Sequence, residues 1–570
     1  MPLLPRAAAA AAAAATTTTT TTPTALLLLL LLLLLTLAPG ASSHRHVVEL
    51  SVSRAPTPEL PGPGLALALA RRATYAEDLI NYIAGGGYYV QVAVGNPPQN
   101  LTMLLDTGSS DSWVLGHDAD ICNSPDLQAI YGSGACIDTF NPSGSSTARM
   151  IKREGFRITY LDGRSASGHY IADDLSIGGA TVRALQMAYV TRAVRTTGIL
   201  GLGFSVSERA ATKYPNLMDE LFNQRSIGCK AYSLYLNDRR TDAGSILFGG
   251  VDTDKFIGTL DVLPLQRPPG SAPSANISSF EVDFDSVSLA FTNGTADLVL
   301  STSLLDHPAP AVLDSGSTLS YIPDKLAQPI FSALGAVFDP VLNLTLVDCA
   351  YAHADGAASS PSAQAPLRHV TFAFPPSTRI LVPLWSLVLD ILPAGYAPPL
   401  PDLADPATQY CVFGLQSTAL LSSKASPKNN NNGTKGTEET RYTLLGDTFL
   451  RSAYVVYDLT HAQIGLAQAN LNSTSSSVVE LSADSDGLPK LTGVAAQQTT
   501  FTPTPTARPL GNGHGNGNGA KGGEKNAAGR RPGGDGAGNL AVLVGVALVT
   551  ALWTAVGSGA FLAASFCSWP

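Results

Sequence analysis

A ten-residue string occurs twice in this chain, as LDTGSSDSWV from Leu105 and as LDSGSTLSYI from Leu313. Leu, Asp and Gly recur in place, and the hydroxyl positions recur as Ser or Thr. Each copy is followed downstream by an apolar pair and a glycine, first Ile199-Leu200-Gly201 and then Leu444-Leu445-Gly446. The order of elements repeats as well as the local string, so the chain reads as a duplicated unit. A lone Asp-Thr-Gly is ordinarily a strand running into a turn. Here each Asp follows a strand-like apolar run, where a solitary buried carboxylate forfeits its hydration. Two homologous lobes facing across a pseudo-twofold axis resolve that conflict by bringing Asp106 and Asp314 together. Two carboxylates at close range share one proton, one held below the usual range and the other above it. The ionised member can take a proton from a water while the protonated member polarises a peptide carbonyl, with no covalent intermediate. The expected chemistry is acid-favoured hydrolysis of a peptide bond.

From Tyr88 onward the chain is a series of short apolar or alternating runs divided by Gly, Asn, Asp and Pro: YYVQVAVG, FRITYLDG, SILFGG, FEVDFDSVSLAF and HVTFAF. That texture predicts an all-β, or mainly β, protein of strands and hairpins. NLMDELFNQRSI is one expected helix. Its ends are of another kind. Residues 1–40 read as a secretory signal, with Arg6 and a Leu run from Leu26 to Leu35; the competing reading is a membrane anchor, for which the Leu run is short. Residues 41–72 read as a propeptide ending at Arg71-Arg72, a pair that also reads as two solvated charges. Residues 73–270 and 271–470 are the expected N-terminal and C-terminal lobes. Residues 471–539, rich in Ser, Thr, Gly, Asn and Pro, read as a disordered stalk that buries too little apolar area to fold. Residues 540–570 are apolar enough to span a bilayer. No Lys or Arg follows them, and small residues from Asn526 lie one polar spacer upstream, which suits replacement by a glycosylphosphatidylinositol (GPI) anchor; a retained helix is the alternative.

These motifs and ends resemble the pepsin-family aspartic endopeptidases, and in particular the GPI-anchored fungal branch that includes the yapsins. The resemblance spans Tyr88 to Ala469. It implies a bilobal pepsin-like acid protease fold with pseudo-twofold related lobes and the active site in the cleft between them. It also implies residue roles. Asp106 and Asp314 match the catalytic pair, Thr107 and Ser315 the hydroxyls that cross-brace their loops, and Ser109 and Ser317 those that bond the outer carboxylate oxygens. Gly108 and Gly316 leave backbone amides free to approach the carboxylates. Tyr160 matches the tyrosine of the mobile hairpin that closes over substrate, and Trp113 its hydrogen-bonding neighbour; ordinary strand packing is the bland reading of both. The chain departs from the family in carrying Leu161 directly after Tyr160, where Gly is common, and Ser315 in place of the commoner Thr.

The six cysteines allow 15 full pairings. Proximity and the lobe division favour Cys122–Cys136 and Cys349–Cys411, leaving Cys229 and Cys567. Sequons at Asn100, Asn276, Asn293, Asn343, Asn432 and Asn472 fit an extracellular glycoprotein at the cell surface, held to the plasma membrane or passed to the cell wall. Asp162, two residues after Tyr160, is a candidate for a basic side chain just before the scissile bond, unless Arg164 neutralises it or Asp162-Gly163 is only a turn. Lys152-Arg153 and Arg239-Arg240 read as exposed charge pairs, with internal processing sites as the alternative. A net charge of -9 without clustered Lys and Arg argues against a nucleic-acid partner. No zinc-hydrolase, serine-nucleophile or phosphate-loop motif occurs, so no cofactor or metal is expected. The expected partners are peptide or protein substrates and, through the anchor, the membrane, with the chain acting as a monomer; the alternative is a non-catalytic binding or structural cell-wall glycoprotein on the same scaffold.

Overall fold

Alternation at a period of two governs the folded region. In the strand Tyr88–Val94, Tyr88, Val90, Val92 and Val94 face the core while Gln91 faces solvent. A computed structural model describes residues 46–54 and 87–495, except 132–135, 137, 161–164, 194, 239–240, 242–243, 268–271, 273–274, 293–296, 304–307, 354–367, 393–394, 400–407 and 423–442. The expected signal, the dibasic pair, Asp162, Asn293, Asn432, Asn526 and Cys567 lie outside the described residues.

Where they are described, the five quoted runs fall on strands, giving a mostly β protein. A thirteen-stranded sheet carries most of the first half and takes in two late strands, Ala453–Asp458 and Gln463–Ala469. Ala231–Tyr235 pairs antiparallel with Ala453–Asp458, so one sheet joins the two halves of the chain. Three further sheets, of five, four and four strands, come from residues after Phe280. The expected helix forms over Leu217–Asn223, where Asn216 accepts from Asp219 N and the Asp219 side chain reaches back, a capping box.

Two segments differ from expectation. Val48–Arg54, inside the expected propeptide, is a strand paired with Gly244–Phe248 and, at its end, with Tyr88–Val94. Its Val48, Leu50 and Val52 are buried while Glu49 and Ser51 are exposed, a short alternation that the Pro-rich sequence around it obscures. Residues 471–495, assigned above to the stalk, are built onto the fold. Val478–Glu480 pairs with Gly250–Asp252, Leu481 is buried, and Val494 bridges Ile257. A few apolar side chains with backbone pairing suffice to hold a stretch whose composition reads as unfoldable.

Candidate active site

The same local construction occurs twice. The strand Gln99–Asp106, buried from Met103 onward, runs parallel to Gly198–Gly201, with Leu105 opposite Leu200 and Asp106 opposite Gly201. The chain then turns, and Trp113 pairs on the other side of that glycine-ended strand, opposite Ile199. In the second half Ala309–Leu313 runs parallel to Thr443–Leu445, with Leu313 opposite Leu445, and Tyr321 returns opposite Leu444. Each turn carrying an aspartate is therefore clamped between two strands of its own half. Leu105, Leu200, Leu313 and Leu445 beneath the turns are fully buried.

Reciprocal hydrogen bonds lock the two turns together. Thr107 Oγ1 donates to Leu313 O at 2.8 Å and accepts from Ser315 N at 3.0 Å. Ser315 Oγ donates to Leu105 O at 2.9 Å and accepts from Thr107 N at 3.2 Å. All these groups are buried, so each bond would cost desolvation if lost. Around the carboxylates the symmetry continues. Gly108 N donates to Asp106 Oδ1 at 2.9 Å and Gly316 N to Asp314 Oδ1 at 2.8 Å. Ser109 Oγ donates to Asp106 Oδ2 at 2.5 Å and Ser317 Oγ to Asp314 Oδ2 at 2.8 Å. A Cβ on Gly108 would lie 2.5 Å from Asp314 Oδ1, and one on Gly316 would strike the Asp106 carboxylate, so both positions admit only glycine.

Asp106 and Asp314 are 6% and 7% exposed, and their carboxyl groups are close enough to share a hydrogen bond. Burial first, and then the negative charge of Asp106, push Asp314 up to about 7. The bonds from Ser317 and Gly316 oppose this and are outweighed. One proton shared by the pair is the expected state over the acid range.

Trp113 Nε1 donates to the Tyr160 hydroxyl at 2.8 Å, as the resemblance implies, and the Arg195 guanidinium sits 5.7 Å from the Tyr160 ring centre. Burial, and next the charge on Asp106, raise the Tyr160 hydroxyl well above the usual tyrosine range, so it stays protonated as a donor. Both disulfides form as paired above, and Cys229 is buried as a free thiol. Of the described sequons, Asn100, Asn276 and Asn472 are exposed and Asn343 is half-buried.

Two groups of residues escaped the sequence reading. Beneath the turns the rings of Tyr232 and Tyr457 stack with centres 4.8 Å apart, and the Tyr457 hydroxyl reaches Leu313 O at 3.4 Å and the Thr107 side chain. Behind the first turn the buried Asp111 accepts from Tyr170 and Tyr214 hydroxyls at 3.2 and 3.0 Å and from Arg209 N at 2.7 Å. Glu208, 2% exposed, accepts from Tyr214 N at 3.0 Å through Oε2, while its Oε1 has no hydrogen-bond partner. The signal was present only at Asp111, where the repeat breaks: its counterpart Leu319 packs in an apolar cluster.

Comparison with known proteins agrees with this geometry. The family model described as eukaryotic aspartyl protease matches residues 87–377 and 405–469. The chain is 33% identical over 456 residues to a protein of Arthroderma benhamiae named probable aspartic-type endopeptidase OPSB, covering 77% of this chain and 81% of that one. It is 29% identical over 478 residues to aspartic proteinase 3 of Saccharomyces cerevisiae, covering 72% and 74%. Secreted aspartic protease 8 of Candida albicans is 31% identical over 412 residues, covering 71% and 81%.

Proposed function

The chain belongs to the eukaryotic aspartyl protease family, an aspartic-type endopeptidase, and on that premise we propose that Asp106 and Asp314 are its catalytic pair, acting on extracellular peptide substrates at acidic pH. The observation that carries this reading is the pair itself, two buried carboxyls within reach of each other and braced from both sides by Thr107 and Ser315. Asp314 holds the shared proton and donates it toward the carbonyl oxygen of the scissile bond. Asp106 accepts a proton from a water held between the two carboxyls as that water attacks the carbonyl carbon. It then hands the proton to the amide nitrogen as the C–N bond of the resulting diol breaks, and Asp314 takes back a diol proton as the carboxyl product forms. Ser109, Ser317 and the amides of Gly108 and Gly316 hold both carboxyls in fixed orientations, which is positioning set before the reaction begins. Tyr160, held by Trp113, closes over the substrate from the opposite side. Acid cleavage of a denatured protein that pepstatin blocks, and that fades as pH rises through about 7 where Asp314 gives up its proton, is the expected result. Pepstatin-insensitive cleavage that persists at alkaline pH would refute it.

The finer reading is an enzyme exported by its N-terminal signal, activated by cleavage after Arg72, and held at the cell surface by a GPI anchor that replaces residues beyond Asn526. A relative named a secreted aspartic protease supports export. Release of the enzyme from cells by a phosphatidylinositol-specific phospholipase tests the anchor, and its retention in the membrane after treatment counts against it. A preference for Lys or Arg before the scissile bond follows from Asp162, two residues beyond Tyr160. Cleavage of a peptide library by the wild type and by Asp162→Ala decides this, since an unchanged preference removes Asp162 from the recognition of substrate.

A further inference from the structure

Away from the aspartates, Asp458 stands opposite Ala231 in the antiparallel pairing of Ala453–Asp458 with Ala231–Tyr235. That register sets the Cys229 thiol against the turn that follows Asp458. The ligand atoms of Cys229, Asp458 and His461 all lie within 4.8 Å of one another. Cys229 Sγ is 3.9 Å from Asp458 Oδ1 and 3.3 Å from Thr460 Oγ1, and His461 Nδ1 is 2.7 Å from Asp458 Oδ2. The turn is fixed by His461 N donating to Asp458 Oδ1 at 3.0 Å and Leu459 N donating to Lys230 O at 2.9 Å. Cys229 and Asp458 are 1% exposed, whereas the His461 side chain is 17% exposed and gives access from solvent.

We propose that Cys229, Asp458 and His461 form a binding site for a thiophilic divalent cation of the zinc and cadmium type, with water or the Thr460 hydroxyl in the fourth position. One thiolate, one imidazole and one carboxylate suit such an ion, whereas sulfur disfavours calcium or magnesium. Tetrahedral bonds of about 2.3 Å to sulfur and ~2.0 Å to nitrogen and oxygen separate the ligand atoms by roughly 3.2–3.7 Å. The Sγ to Oδ1 separation of 3.9 Å lies a few tenths of an ångström beyond that range, and all three ligand atoms already lie within 4.8 Å of one another. On binding, the cation takes lone pairs from Sγ, Nδ1 and a carboxylate oxygen. The thiol proton passes to solvent, and the ring proton moves from Nδ1 to Nε2, so one proton is released when the imidazole starts neutral.

Burial pushes the Cys229 thiol up to about 11, with the Thr460 bond and Lys230 opposing the shift. Protons compete with a cation for any thiolate ligand, so acid expels it. The charged groups facing the thiol are Asp458, His461 and Lys230, the last paired with Asp219 at 3.1 Å. A bound ion would tie together the two strands that carry Tyr232 and Tyr457 beneath the aspartate pair. If the cluster is instead only a His461–Asp458 ion pair beside an inert thiol, it has no affinity for such ions.

Titration of the purified full chain with Co2+ near neutral pH distinguishes the two. The expected result is a near-ultraviolet thiolate-to-cobalt band that saturates at one equivalent, is displaced by Zn2+, and disappears on acidification. The band is absent in Cys229→Ser, and cobalt affinity falls about tenfold or more in His461→Ala. Unimpaired acid proteolysis by both variants reports that they are folded. No band in the wild type, or a band that survives Cys229→Ser, overturns the proposal.

Discussion

Glu208→Gln should make the protein more resistant to alkaline unfolding. Burial, and to a lesser degree the nearby charges of Asp111 and Asp219, push the Glu208 carboxyl from 4.5 up to about 8, with the Tyr214 amide opposing. The folded state thus holds a proton that the unfolded state releases between those two values. The slope of stability with pH is set by protons bound unfolded minus folded, so it is negative, and stability present below pH 4.5 is lost as pH rises through about 8. At about 1.4 kcal/mol per tenfold in proton affinity the ceiling is roughly 4–5 kcal/mol; allowing for relaxation and solvent screening, about 2 kcal/mol is expected. Gln keeps the acceptor for Tyr214 N and cannot ionise. Denaturant unfolding from roughly pH 4 to 9 should give curves for wild type and Glu208→Gln that nearly meet at the acid end and diverge by ~2 kcal/mol at the alkaline end. Asp314, raised to about 7, tilts both curves the same way and cancels in the difference. Parallel curves would refute the argument that Glu208 is held protonated by the fold. The consequence reaches the active site because Asp111, which Glu208 would then oppose, lies in the loop that carries Asp106.

Three further outcomes are expected. Gly316→Ala pushes a methyl into the Asp106 carboxylate and should cost about a hundredfold in kcat with little change in KM; unaltered kcat would contradict the crowding at this position. Ser315→Ala removes the bond to Leu105 O and strips Thr107 N of its acceptor, for roughly 2 kcal/mol of stability together with lower kcat, whereas Ser315→Thr keeps the hydroxyl; chemical denaturation and peptide kinetics on both variants check this. Replacing both cysteines by serine should cost ~3 kcal/mol for Cys122–Cys136, which spans 14 residues, and ~4 kcal/mol for Cys349–Cys411, which spans 62, read as melting temperatures.

The aspartate pair was legible because duplication writes the same local solution twice, and two buried carboxylates explain each other. Its bracing hydroxyls and glycines were legible through family resemblance, and the cross-bonds of Thr107 and Ser315 give the physical reason for them. Glu208, Tyr214 and Tyr457 were not legible, since nothing local marks them. They matter through contacts made across long chain separations, such as Tyr214 to Asp111 and Tyr457 to Leu313. Composition misled at both margins of the fold. Three alternating apolar residues suffice to seat Val48–Arg54 against Gly244–Phe248 despite the Pro-rich surroundings. Leu481 and Val494 do the same for a Ser-rich tail, so the fold runs beyond the boundary at 470.

The central claim is that one proton shared between Asp106 and Asp314 drives peptide hydrolysis. Asp106→Asn and Asp314→Asn, made separately and assayed on one fluorogenic peptide across the acid range, test it most directly. Each substitution keeps the side chain's shape but leaves the pair unable both to accept a proton from water and to hand one to the carbonyl. Each should lower kcat by about 10²–10⁴-fold or more while the protein still unfolds cooperatively. Activity within tenfold of wild type in either variant would contradict the account.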